Sequence, residues 1–200
     1  MVIKGRRVMT VRVLLVDEDP DRAAQLQAAL HAAGYTVTAH VATAVDLLTQ
    51  VRASEPDVII IDSDSPDRDT LEHVCMVTRD QPRPIVMFAD DGDRAAIRAA
   101  VDAGVSAYVV GGLTAERIRP IVDVAMARFE QFQAMRQELD KTKTTLAERK
   151  HIERAKGMVM KSKGVSEDEA YGLLRKLAME RNQRLAQVAE NVIAMAELLT

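Results

Sequence analysis

The chain has 200 residues, 48% of them hydrophobic, with one cysteine and a formal net charge of −3. That length admits one large domain or two small ones, and that apolar content excludes wholesale disorder. Residues 1–125 carry 13 Lys+Arg against 19 Asp+Glu, while residues 126–200 carry 14 against 11, so an acidic front and a basic tail predict two domains with different partners.

The basic start MVIKGRRVMT, residues 1–10, lacks the apolar stretch of a secretory signal and reads as a lead-in, with Met9 as an alternative start. Apolar runs follow at VRVLLV (11–16), YTVTA (35–39), VIII (58–61), IVMF (85–88) and AYVV (107–110). They are continuous rather than alternating, as strands buried on both faces should be. Helical patterns lie between them. One runs from Asp21 to about Ala33 and is closed by Gly34. Others begin near Thr43, Asp69 and Arg94, the last stopping at Gly104, and a further one begins at Thr114 as N-cap. Cys75, in the apolar stretch HVCMV, is expected to be a buried, inert thiol. Residues 11–125 therefore predict an α/β domain: a doubly wound, five-stranded parallel sheet of flavodoxin-like order 2-1-3-4-5.

From Glu116 to about Ala155 the chain holds one proline, Pro120, and no glycine, which predicts a long helix. Residues 126–148 form a helical, coiled-coil-like linker. There Phe132, Met135, Leu139, Thr142 and Leu146 step by three and four, a seam for a homodimer or for packing back on the first domain. Phe129 and Phe132 would suit a protein partner if exposed. Residues 149–200 predict a small three-helix bundle. Its first helix ends at Gly164, and its second opens on a capping box of Ser166 and Glu169 with Ala170, Leu173, Leu174 and Leu177 on one face. The third carries Leu185, Val188, Ala189, Val192 and Leu199 on one face. Tyr171 and the mid-helix Gly157 are both assigned to packing. No apolar run approaches the ~18 residues of a membrane span, so neither a membrane nor an export route is expected, and the lone cysteine fits the cytoplasm.

The chemistry concentrates in two places. Asp17, Glu18 and Asp19 follow the first strand and Asp62 ends the third. In the expected strand order these ends are neighbours at the switch point, so Asp17, Glu18 and Asp62 should converge. Three carboxylates that close need a cation among them, and hard oxygen ligands suit Mg²⁺. In the tail, Arg149, Lys150, Arg154, Lys156, Lys161 and Lys163 crowd one helix, followed by Arg175, Lys176, Arg181 and Arg184. Such basic stripes bind phosphates, and with almost no aromatic platform base recognition would fall to Arg, Lys and small side chains. The four histidines show no metal-ligand spacing, and no catalytic triad or phosphate-cradling glycine loop argues for an enzyme.

Over about residues 11–125, VLLVDEDP and PDVIIIDSDSP resemble the acidic pair and acceptor strand of response-regulator receiver domains. The resemblance implies that Asp62 is the phosphoacceptor and that Asp17, Glu18 and Asp62 are metal-site carboxylates. It adds the Asp64 backbone carbonyl as a further ligand, Pro66 as the proline after the acceptor strand and Tyr108 as the aromatic switch residue. Two positions depart from the pattern: Ala89 stands where the family has a hydroxyl, and Gly111 with Gly112 where it has Lys then Pro. Each missing charged hydrogen bond removes ~1.5–3 kcal/mol from any phosphate response.

Over about residues 140–197, the stretches AKGMVM, SEDEAY and LAQVAENV resemble the ANTAR domain of amidase and nitrate antitermination regulators. Together the two halves resemble the NasT/AmiR-like transcription antitermination regulators. That resemblance implies binding to paired hairpins in nascent leader RNA, so that a terminator does not form at nitrate or nitrite assimilation genes. Because Ala89 and Gly111 weaken any phosphate response, a ligand-sensing protein partner is expected to hold the chain inactive and release it when a small ligand binds, with phosphorylation of Asp62 as the lesser route of control. A DNA-binding response regulator and a protein-interaction adaptor are the alternatives.

Overall fold

A computed structural model of the chain describes residues 10–64, 67–90, 92–111 and 115–198. It divides into two compact units, residues 1–133 and 134–200. The first unit contains β1 (Arg12–Asp17), α1 (Pro20–Ala32), β2 (Thr36–Val41), α2 (Leu47–Ser54), β3 (Val58–Asp62), α3 (Arg68–Asp80), β4 (Ile85–Ala89), α4 (Arg94–Ala103), β5 (Ala107–Val110) and the start of α5 (Ala115–Lys163). The strands are parallel, in the order β2-β1-β3-β4-β5.

Alternation along each strand divides the core between the two sheet faces. Val13, Leu15, Ile60, Val86 and Phe88 pack with Leu26 and Leu30 of α1 and Ile118, Val122 and Ala125 of α5. Leu14, Val16, Ile59, Ile61 and Met87 pack with Leu47, Val51, Val74, Val77 and Ala100 of α2, α3 and α4. Each such large side chain contributes about 1.5–3 kcal/mol relative to exposure.

Acidic residues start the helices. The Asp19 carboxylate accepts from the Asp21 and Arg22 amides, with Pro20 at the first helical position. Asp67 accepts from the Thr70 amide, and Asp93 from that of Ala95. At the end of α4, Gly104 has φ +103°, and a Cβ there would lie 2.6 Å from the Thr78 side chain, so both backbone and space require glycine.

The second unit packs the end of α5 with α6 (Glu167–Glu180) and α7 (Leu185–Leu198) around Ala155, Leu174, Ala178, Val188, Ala189 and Ile193. Gly164, at φ +63°, ends α5, and the Ser166 amide donates to Glu169 Oε2 at 2.9 Å while the Glu169 amide donates back to Ser166 Oγ.

The long helix expected over the linker runs on through the first tail helix as one α5, because nothing between Pro120 and Gly164 stops it; Gly157 alone is tolerated inside. Five expectations need correction. Cys75 is exposed, because Val74 and Val77 take the buried face of α3. Leu173 is 41% exposed, and Ala178 takes the place expected for it on the buried face of α6. Tyr171 is 43% exposed and is not a packing residue. A Cβ on Gly157 would meet nothing within 4 Å, so close packing does not account for that glycine. α2 also starts at Leu47, later than Thr43. The seam residues Phe132, Met135, Leu139 and Leu146 are all exposed, while the Thr142 hydroxyl donates to its own helix at the Glu138 carbonyl. Met9, Pro66, Gly112, Thr114 and Leu199 lie outside the described residues. Among the described residues no helix is long and apolar enough to cross a membrane.

Candidate functional site

Pairing of β1 with β3 sets Asp17 beside Asp62 at the carboxyl end of the sheet. Asp17 is fully buried and Asp62 partly buried, its side chain 13% exposed. Glu18 is exposed and lines the cleft that Arg22 borders, with Asp19, Ser63 and Asp64. The convergence expected from the strand order therefore holds for two carboxylates, with Glu18 at the rim.

A cation stands among them, and it is a side chain. Arg22, in the first turn of α1, donates from Nε to both carboxylate oxygens of Asp17 at 3.1 and 3.2 Å, and from Nη2 to Oδ1 at 2.9 Å. Its Nη1 donates to Asp64 Oδ1 at 2.8 Å, and its Nε lies 3.5 Å from Asp62 Oδ2. The Asp19 amide gives Asp17 one more hydrogen bond, at 2.9 Å. Hydrogen bonding to Asp17 raises the guanidinium pKa above its ordinary value, with Asp64 and Asp62 acting in the same sense against desolvation. Burial pushes Asp62 up to about 6; Arg22 opposes this, and Asp17, Asp90 and Asp64 reinforce it.

Sequence reasoning missed Arg22. The available signal was its place in the first turn of α1, where the helix dipole favours anions and disfavours cations. A basic residue there needs a compensating partner, and the carboxylates after β1 and β3 supply it.

The donor set of Asp17, Glu18, Asp62 and Asp64 has the hard-oxygen chemistry of a Mg²⁺ site. The geometry does not accommodate the ion, because the guanidinium lies between the carboxylates that would ligate it. The Asp64 carbonyl accepts from the Asp90 amide at 3.2 Å. At the end of β4 Ala89 is buried and brings no hydroxyl. Gly111 follows β5 at φ +75° and brings no ammonium. Tyr108 is half-buried against the α2–α4 core.

The basic positions of the second unit fall into three groups. Lys156 is 8% exposed and bridges Glu153 at 2.7 Å and Glu167 at 2.6 Å, fastening α5 to the start of α6. Arg154, Lys176 and Arg184 are exposed but paired, with Glu197, Glu180 and Glu148. Arg149, Lys150, Lys161, Lys163, Arg175 and Arg181 are exposed and form no ion pair among the described residues. Lys150, Arg154 and Lys161 share one stripe of α5 by their four- and seven-residue spacing.

Residues 13–123 match the response regulator receiver domain family, and residues 140–193 the ANTAR domain family. The chain is 27% identical to the transcriptional regulatory protein PdtaR of Mycobacterium tuberculosis, over 91% of its own length and 89% of that protein's. It is 31% identical to the nitrate regulatory protein of Klebsiella oxytoca over 40% of its length and 20% of that protein's. A CheY-like receiver from Methanospirillum hungatei superposes with a TM-score of 0.53, at 20% identity, over 61% of this chain and 98% of that one. The fold of the first unit and the acidic ends of β1 and β3 are those of a receiver, a domain that commonly binds Mg²⁺ at this pocket. With the second match included, the chain belongs to the response regulators that join a receiver to an ANTAR domain, families that are regulatory rather than enzymatic.

Proposed function

We propose that this chain regulates transcription antitermination: its second unit binds paired hairpins in nascent leader RNA and keeps a terminator from forming. The observation that carries the reading is the set of exposed cations at Arg149, Lys150, Lys161, Lys163, Arg175 and Arg181, which form no ion pair among the described residues and all lie within the ANTAR match. Cations already held by protein carboxylates would have to exchange them for phosphate; these six would not. Arg154, Lys176 and Arg184 stand at the margin of that surface, and Lys156 acts as its internal clamp.

Residues 11–125 act as the regulatory receiver, 126–148 as a helical linker with a homodimer seam, and 149–200 as the RNA-binding part, working in the cytoplasm where transcripts emerge. Asp62 occupies the acceptor position. With Ala89 and Gly111 beside it, a phosphoryl group there would find neither of the usual side-chain donors, so control falls mainly to a sensor protein that masks the chain and releases it on binding a small ligand. The Klebsiella relative's name favours nitrate as that ligand; nitrite as an alternative and assimilation genes as the target are what the resemblance to antitermination regulators implies.

The test is competition between an RNA carrying paired small hairpins and duplex DNA of equal length, by fluorescence anisotropy with the full chain. RNA preference is expected; preference for duplex DNA would mean a DNA-binding response regulator instead. Loss of the inducer response on Asp62→Ala, in a folded protein, would restore phosphorylation as the main signal.

A further inference from the structure

We propose that Arg22 is a built-in counter-ion that takes the position of the divalent cation in the receiver cleft, so that this receiver holds its acidic residues together without bound metal. The inference concerns the first unit alone and does not depend on RNA binding.

Three observations support it together. The guanidinium is engaged along its whole fork: Nε and Nη2 on Asp17, Nη1 on Asp64, and Nε near Asp62. It therefore faces Asp17 from the end of β1 and Asp62 from β3, the two carboxylates that would converge on an ion, and holds the Asp64 side chain from the loop after β3 as well. Second, Asp17 is fully buried, and its carboxylate has only Arg22 and the Asp19 amide as hydrogen-bond donors among the described residues. A buried carboxylate requires such compensation. Third, Arg22 itself is only one-third exposed, and its place in α1 is fixed by the Asp19 cap and Pro20, so the cation is positioned by the backbone that carries it.

The arrangement excludes simultaneous occupancy. Mg²⁺ needs oxygen ligands at ~2.1 Å in near-octahedral array. A planar guanidinium hydrogen-bonded at 2.9–3.2 Å to Asp17 and 3.5 Å from Asp62 keeps those oxygens apart and repels a second cation at close range. Metal can enter only if Arg22 leaves.

The experiment titrates Mn²⁺ into the full chain and follows free Mn²⁺ by electron paramagnetic resonance, with Mg²⁺ as competitor. Wild type, Arg22→Ala, and Arg22→Ala combined with Asp17→Asn are compared. The expected result is a single Mg²⁺-competable site in Arg22→Ala, at least about tenfold tighter than anything in the wild type and lost again in the double variant. In parallel, Mg²⁺ should raise the melting temperature of Arg22→Ala and leave that of the wild type unchanged. Equal affinity in wild type and Arg22→Ala overturns the proposal, and so does a failure of Arg22→Ala to gain a site. If Arg22→Ala does not fold in chelator, Arg22→Gln replaces it. Folding of either variant on addition of Mg²⁺ supports the proposal, and unfolding of both that Mg²⁺ does not reverse overturns it.

Discussion

The RNA-binding reading makes a quantitative claim about salt. Lys161 and Lys163 are exposed near the end of α5 and hold no carboxylate among the described residues. Each cation that neutralises a phosphate adds about 0.7–0.9 to the slope of log affinity against log salt. Replacing both by Gln should therefore reduce the slope by about 1.4–1.8. Between about 50 and 200 mM salt the wild type should then lose roughly tenfold more affinity than the variant. Lys156→Gln is the internal control. That side chain is buried between Glu153 and Glu167, so its loss should lower the melting temperature of the second unit and leave the slope unchanged. Fluorescence anisotropy at several salt concentrations, with circular dichroism to confirm folding, supplies both numbers. A Lys161/Lys163 variant with the wild-type slope, or a Lys156 variant whose slope falls as far, would refute the division of basic residues into clamp and contact.

Leu174→Ala removes the most deeply buried large side chain described in the core of the second unit and should cost about 2–5 kcal/mol in urea titrations followed by circular dichroism; a loss below about 1 kcal/mol would mean that this core does not hold the unit together. Gly157→Ala should stabilise by about 1 kcal/mol, since the position is helical and a methyl group meets nothing there; destabilisation would point to a neighbour pressed against the backbone. Asp62, held up at about 6 against an ordinary 3.8, keeps its proton longer in the folded than in the unfolded chain. Its contribution is thus most favourable below about pH 4 and is lost as pH rises through about 6. Thermal melts in chelator should show that decline for the wild type relative to Asp62→Asn, and parallel curves would exclude it.

Much of the first unit was legible because both faces of its strands are buried. That leaves continuous apolar runs, and the β3, β4 and β5 stretches fall on observed strands to within a residue. The start of α2 was less legible, because Val45 and Asp46 continue a helical pattern that the backbone takes up only at Leu47. Cys75 was misplaced because an apolar stretch cannot reveal which face of α3 turns inward; Val74 and Val77 decide it. The acidic cleft could be read from strand order, since order fixes which strand ends meet. Its cation could not, because the Asp17 to Arg22 contact depends on where α1 sets a long side chain. Lys156 was counted with the other basic residues for a similar reason: Glu153 is visible three positions away, whereas Glu167 arrives only through the turn at Gly164.

The Lys156 clamp also bears on the order in which the second unit assembles. Lys156 and Glu167 are separated by 11 residues, and Ser166 and Glu169 by three, whereas the ties from α5 to α7, His151 to Glu190 and Arg154 to Glu197, span 39 and 43. Closing the longer loops costs roughly 1 kcal/mol more chain entropy than closing the clamp. The corner between α5 and α6 is therefore the cheaper structure to form from the unfolded chain, and α7 docks onto a corner already made. Weakening the clamp should accordingly slow refolding, while trimming the side chains that α7 brings to the core should mainly hasten unfolding.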